Sequence, residues 1–228
     1  MTFHVSRISH VLCAMSALVI FAGCEVTVVD NTTQETPEDP ADPADPVDPT
    51  PITGLDVGRA PAGVGALITQ DIVNDLLDTG MNLYQGEAPP TVVGRYRADT
   101  LEIVYDDVAG NPDSNIMPYE IEVMTQDGSE TTLCQYQDNV DGSECTVSST
   151  IVGSADCFTI VSDYAGRTAS CEYDRTEIVS GCLTADGDIA DYQNASILTG
   201  SEGECGGIRA EGDLRVMQEG DGLAAKVQ

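Results

Sequence analysis

Between residues 66 and 80, "ALITQDIVNDLLDTG", apolar residues recur at helical spacing. Ile68, Ile72 and Leu76 repeat at four, and Val73 and Leu77 add a second row. Asp71, Asn74, Asp75 and Asp78 hold the opposite face, and Gly80 stands where a left-handed cap ends a helix. So narrow an apolar face predicts one helix lying on the outside, or across one end, of something larger.

From Thr91 onward the period changes to two. Tyr119, Ile121 and Val123 alternate with Glu120, Glu122 and Met124. Ile208, Ala210, Leu214 and Val216 alternate with Arg209, Glu211, Asp213 and Arg215. Leu101, Ile103 and Tyr105 repeat the pattern more briefly, and Phe158 and Ile160 continue it. Between the runs lie turn signals: "AGNPDSN", "QDGSE", "NVDGS", "VGSAD", "YAGR" and "TADGD". The spacing predicts a mainly β fold of about 8–9 strands with short connections, which favour antiparallel pairing. A closed up-and-down barrel with one N-terminal helix removes the sheet edges that an exported protein must otherwise protect. A two-sheet sandwich is the alternative. In the barrel, Ile121, Val123, Phe158, Ile160, Leu214 and Val216 would share the inner side, and the helix would close one end.

The start of the chain carries a different pattern. A lightly basic stretch (His4, Arg7, His10) precedes an apolar run from Val11 to Gly23 and then Cys24. That run falls short of the ~20 residues a spanning helix needs, so it reads as a cleaved signal, residues 1–23. "FAGC" resembles the bacterial lipobox, which implies lipidation of Cys24. Residues 24–51 follow as an acidic, Pro-rich tether containing "PEDPADPADPVDPTP", whose prolines and repelling aspartates keep it extended. The folded domain is then 52–228.

"TGMNLYQGEAPPTVVGRYR" (79–97) joins the helix to a strand carrying Gly94-Arg95-Tyr96. With the strand pattern through "EGDLRVMQEGDG", it is similar to the opening of a group of uncharacterised bacterial lipoproteins with lipocalin-like barrels. That resemblance, spanning roughly residues 66–221, implies a fold and an address in the bacterial cell envelope, at the outer membrane or cell surface. It implies no established activity.

Charge narrows the partners. A formal net charge of −30 excludes nucleic acid, because phosphate binding needs clustered Lys and Arg. It also argues against docking on an anionic lipid surface, so contact with the membrane falls to the anchor on Cys24. Loss of the signal removes both histidines, leaving one lysine, Lys226. Ser-His-Asp and Cys-His catalysis are then out of reach, and no phosphate-binding glycine motif precedes a helix. Only a carboxylate pair could still run acid–base chemistry, and 39 acids make chance pairs unavoidable. The oxygen-rich loops "DGDIAD" (186–191) and "DDVAGNPDSN" (106–115) do not fit the EF-hand spacing and read as polar turns. The expectation is a non-enzymatic protein without cofactor or metal.

Six cysteines remain in the exported domain: Cys134, Cys145, Cys157, Cys171, Cys182 and Cys205. They predict three disulfides. Cys134 and Cys145 straddle "DNVDG", and Cys157 and Cys171 straddle "YAGR", so hairpin symmetry pairs them. Cys182 is left with Cys205. The leading functional expectation is a lipid-anchored envelope lipoprotein whose barrel holds a small apolar ligand, lined by Tyr96, Tyr105, Tyr119 and Phe158. The alternative is a structural or interaction module with a solid core, its protein partner unnamed by the sequence.

Overall fold

The computed structural model describes residues 51–108, 115–116, 118–137, 143–146, 148–167, 171–203 and 210–227. The chain divides into two units, Met1–Asp45 and Pro46–Gln228, and every described residue belongs to the second. The expected signal, Cys24 and the tether up to residue 50 lie outside the described residues.

The described chain begins with β1 (Ile52–Thr53), α1 (Ala62–Leu67), α2 (Gln70–Asp78) and β2 (Tyr84–Gln85). Then come β3 (Gly94–Ala98), β4 (Leu101–Asp106), β5 (Asn115–Ile116), β6 (Tyr119–Asp127) and β7 (Glu130–Gln137). The remainder is β8 (Ser143–Cys145), β9 (Ser148–Ser154), β10 (Cys157–Arg167), β11 (Cys171–Leu183), β12 (Ile189–Gly203), β13 (Leu214–Glu219) and β14 (Leu223–Val227). The mainly β, antiparallel expectation holds. The strands outnumber those predicted because β1, β2, β5 and β8 are two or three residues long, too short to show a period.

Strands β11, β10, β9, β7, β6, β3, β14 and β12 pair in that order, and β12 pairs back to β11, closing a ring. Its far edge is shared: Ile189 and Ala190 pair with β14, while Gln193–Ile197 pair with β13, which carries β4. From β9 to β13 the chain is a simple meander. It departs from up-and-down order at β3, which lies between β6 and β14, whereas β4 lies against β13.

The helical expectation for 66–80 resolves into two pieces. Ile68 is extended, and the Thr69 side chain caps a new helix by accepting from the Ile72 N–H. At the other end Gly80 (φ +90°) donates to the Leu77 carbonyl and Met81 to that of Leu76. This Schellman closure turns the buried Met81 back beside Leu76. α1 holds itself close to β9 through Gly63, where a Cβ would fall 2.2 Å from Thr150 Oγ1.

Two separate cores result. Inside the ring are Tyr96, Leu101, Ile103, Ile121, Val123, Leu133, Ile151, Phe158, Ile160, Val179 and Tyr192, among others. Outside it, α1 and α2 bring Val64, Ile68, Val73 and Leu76 onto Val152, Val161, Ile178, Ala195, Ile197, Leu214 and Val216. The helices therefore lie on the outer wall and do not close an end. Leu214 and Val216 face them, opposite to the inward side expected, and Met217 points inward instead. Ala210 is exposed and precedes the strand, which starts only at Leu214.

Candidate functional site

The ring interior is apolar through most of its depth and polar toward one end. Alternation along β11 places Arg175 and Glu177 on the face that carries the inward Val179. Glu177 is 1% exposed, and its Oε1 accepts from the Tyr119 hydroxyl (2.7 Å) and from Asn194 Nδ2. Its Oε2 lies 3.4 Å from Arg175, whose guanidinium also donates to Gln135 Oε1 and stands 5.1 Å from the centre of the Tyr164 ring. Beside it, the hydroxyls of Thr131, Ser149 and Ser162 form a chain of hydrogen bonds, Ser162 standing opposite Glu177 across β10 and β11. Burial, then the charge of Glu177, pushes the Tyr119 phenol well above its usual pKa, and Tyr192 is raised for the same reasons in the same order. The carboxylate is thus committed to internal partners, with Arg175 as its counter-charge.

A second feature lies outside the ring. Along β4 the alternation is broken: Ile103 pairs with Met217 and Tyr105 with Val216, leaving Val104 as a bulge. The bulge sends Tyr105 to the outer face, where Val216 packs under the helices. There Ile72, Thr79, Tyr105, Ile197, Gly212 and Leu214, with Asp75, Asp78 and Asp107, line a half-open groove of about 460 Å³. Asp107 is built in, accepting from the Tyr105 hydroxyl (2.7 Å) and from the Leu214 N–H (2.7 Å). That hydrogen bond and the Asp107 charge, with smaller contributions from burial and Asp75, raise the Tyr105 pKa.

The four side chains expected to line a ligand are therefore divided. Tyr96 and Phe158 lie inside the ring, each 1% exposed or less, and the Tyr96 hydroxyl donates to the Val92 carbonyl. Tyr119 joins the polar end. Tyr105 does not face the interior at all, because the bulge reverses it. The residues that form the polar end, Gln135, Arg175, Glu177 and Asn194, escaped the sequence reading. Their signal is the spacing of Arg175, Glu177 and Val179 on one strand face, where charges ordinarily mark the wet side.

Of the predicted disulfides, Cys134–Cys145 forms as hairpin symmetry requires, across β7 and β8. Cys157 bonds to Cys182, which overturns both Cys157–Cys171 and Cys182–Cys205. The reason is the position of the reversal: β10 continues through "YAGR" to Arg167, which pairs with Glu172, so the residue opposite Cys157 is Cys182. Cys171 is itself disulfide-bonded, and Cys205 lies outside the described residues.

Among the described residues, no group of three or more His, Cys, Asp or Glu is arranged to hold a metal ion. The two buried acids among the described residues, Glu177 and Glu219, both have structural partners: Glu219 accepts from the Thr100 and Asp221 N–H groups. No protein-family model, no curated protein and no solved structure matches this chain.

Proposed function

We propose that this chain is a lipid-anchored bacterial envelope lipoprotein whose lipocalin-like barrel is solid and acts through its outer surface, as a non-enzymatic interaction module. The observation that carries this reading is the occupancy of the ring interior. Tyr96, Phe158, Tyr164 and Tyr192 are each no more than 1% exposed and take the space an apolar guest would need. At the polar end Glu177 is engaged by Tyr119, Asn194 and Arg175. The address rests on "FAGC" and the Pro-Asp tether, and the acidic surface suits a soluble module held off a membrane.

Titration of the full chain with a fluorescent fatty acid at neutral pH tests the solid interior. The expected result is no saturable signal. Saturable binding at one site per chain, competed by unlabelled fatty acid, would replace the interaction module with a ligand carrier.

A further inference from the structure

We propose that the groove between α2, β4 and β13 docks a basic segment of a partner protein, seating one apolar side chain on its floor and Lys or Arg on its acidic rim. This rests on the interaction-module reading above and names the surface and the chemistry of the partner.

The floor is apolar, with Ile197 and Leu214 buried and Ile72 partly exposed. Ile72, Ile197 and Leu214 form it, and the Tyr105 ring, 39% exposed, forms one wall. Leu77 on the same helix is also 39% exposed. An antiparallel sheet of regular register would have turned Tyr105 inward; the Val104 bulge spends a ladder position to present it here.

The rim selects the sign of the partner. Asp75 and Asp78 sit in the last two turns of α2, where the helix dipole is negative, and the last turn carries no basic residue. Two carboxylates at a helix C-terminus repel the dipole and each other, a local cost that a bound cation removes. Four of the described arginines are engaged elsewhere: Arg95 and Arg97 on Glu120, Arg175 on Glu177, Arg215 on Asp106. A second copy of a chain with net charge −30 would be repelled from this rim, whereas a basic segment would be steered toward it.

The probe is a fluorescein-labelled peptide of alternating leucine and lysine, titrated into the full chain, with a glutamate-for-lysine version beside it. The lysine peptide should bind saturably, weaken with added salt, and carry a photo-crosslinker to α2, Tyr105 or β13. Replacing both rim acids (Asp75→Asn with Asp78→Asn) should weaken binding about tenfold, from two ion pairs and the dipole together. Tyr105→Ala should weaken it by at least about fivefold, the loss of a half-buried aromatic contact. A charge-matched control, Asp127→Asn with Asp186→Asn, both exposed and outside the groove, should change it less than about twofold. Equal loss in the control pair would reduce the attraction to diffuse charge and overturn the groove. So would crosslinks mapping elsewhere, or a self-association of the chain that the rim variant abolishes. Those outcomes leave the module reading standing, because that reading fails only on saturable fatty-acid binding.

Discussion

Cys157 stands directly opposite Cys182 across β10 and β11, their Cα atoms 3.9 Å apart, and a disulfide joins them. The bridge spans 25 residues of sequence, against 11 for Cys134–Cys145. Loop-closure entropy then assigns about 3.5 kcal/mol to the longer loop and about 2.8 kcal/mol to the shorter. Removing Cys157 and Cys182 together should lower stability more than removing Cys134 and Cys145, in urea denaturation at neutral pH. Non-reduced peptide mapping should return Cys134–Cys145, Cys157–Cys182 and a third bridge from Cys171, for which Cys205 is the remaining cysteine of the domain. A Cys157–Cys171 peptide would contradict the β10–β11 register.

What was legible in the sequence follows from which signals are local. Period-two runs mark strands reliably, so β6 and β10 could be found from Ile121, Val123, Phe158 and Ile160. The face a strand presents is a different matter. Leu214 and Val216 alternate correctly but point outward, because the outer wall is covered by α1 and α2 and offers a second apolar environment. A two-sided wall makes inward and outward residues equally apolar, as in β10, where six consecutive residues from Cys157 to Ser162 are buried. Tyr105 is turned to the outer face by one inserted residue, Val104, whose effect depends on the partner strand and leaves no mark in its own sequence. The β10–β11 reversal lies beyond "YAGR", which has turn composition yet belongs to a long ladder. Glu177 and Arg175 were invisible for the opposite reason: charge inside a ring is affordable only when partners from β6, β7 and β12 converge on it.

That convergence makes Glu177 a sensitive position. Glu177→Leu removes the acceptor of Tyr119 and Asn194 and the counter-charge of Arg175, which should cost about 3–5 kcal/mol. Combining it with Arg175→Met removes the orphaned charge and should recover at least about 1 kcal/mol of that loss. Denaturant titrations of the four members of the cycle measure the coupling. Additive losses would show that Arg175 and Glu177 do not stabilise one another.

The buried phenols set an alkaline limit. Tyr119 and Tyr192 are both raised above the usual phenol value of about 10, chiefly by burial and then by Glu177. The folded state therefore holds protons that the unfolded chain releases, so their contribution is complete below about pH 10 and declines as pH rises beyond it. Urea midpoints should stay level on their account up to about pH 9 and fall steeply from about pH 10. Tyr119→Phe is expected to lower stability at neutral pH by about 1 kcal/mol, the hydrogen bond to Glu177, while making the alkaline decline shallower. An unchanged slope would mean that Tyr119 ionises as readily folded as unfolded.

The outer wall depends on how α2 begins and ends. Thr69→Ala should cost about 1 kcal/mol, since the Ile72 N–H loses its cap. Leu76→Ala empties a fully buried site between helix and sheet and should cost about 2–5 kcal/mol. Gly80→Ala forces a side chain into φ +90° and should cost about 1–2 kcal/mol, although nothing lies within 4 Å of the added carbon. The ranking, Leu76 above Gly80 and Thr69, is read from thermal midpoints. A Gly80→Asn variant should fall short of the Ala loss, because Asn tolerates the left-handed region; equal losses would place the cost in something other than backbone conformation.

The proposed anchor makes its own demand on Cys24. A lipoprotein thioether carries two acyl chains, and each buried methylene contributes about 0.8 kcal/mol, so two chains hold a protein stably where one does not. Among the described residues no helix is long and apolar enough to cross a membrane, and the charge of −30 is repelled by anionic lipid. Growth with an alkyne fatty acid should therefore label the wild-type chain and leave Cys24→Ala unlabelled. The variant should also move from the membrane to the soluble fraction with its disulfides intact, because the bridges form within residues after the tether. Equal labelling of both chains would remove the anchor. Membrane retention of an unlabelled Cys24→Ala chain would show instead that the apolar run at 11–23 stays attached and holds the protein by itself.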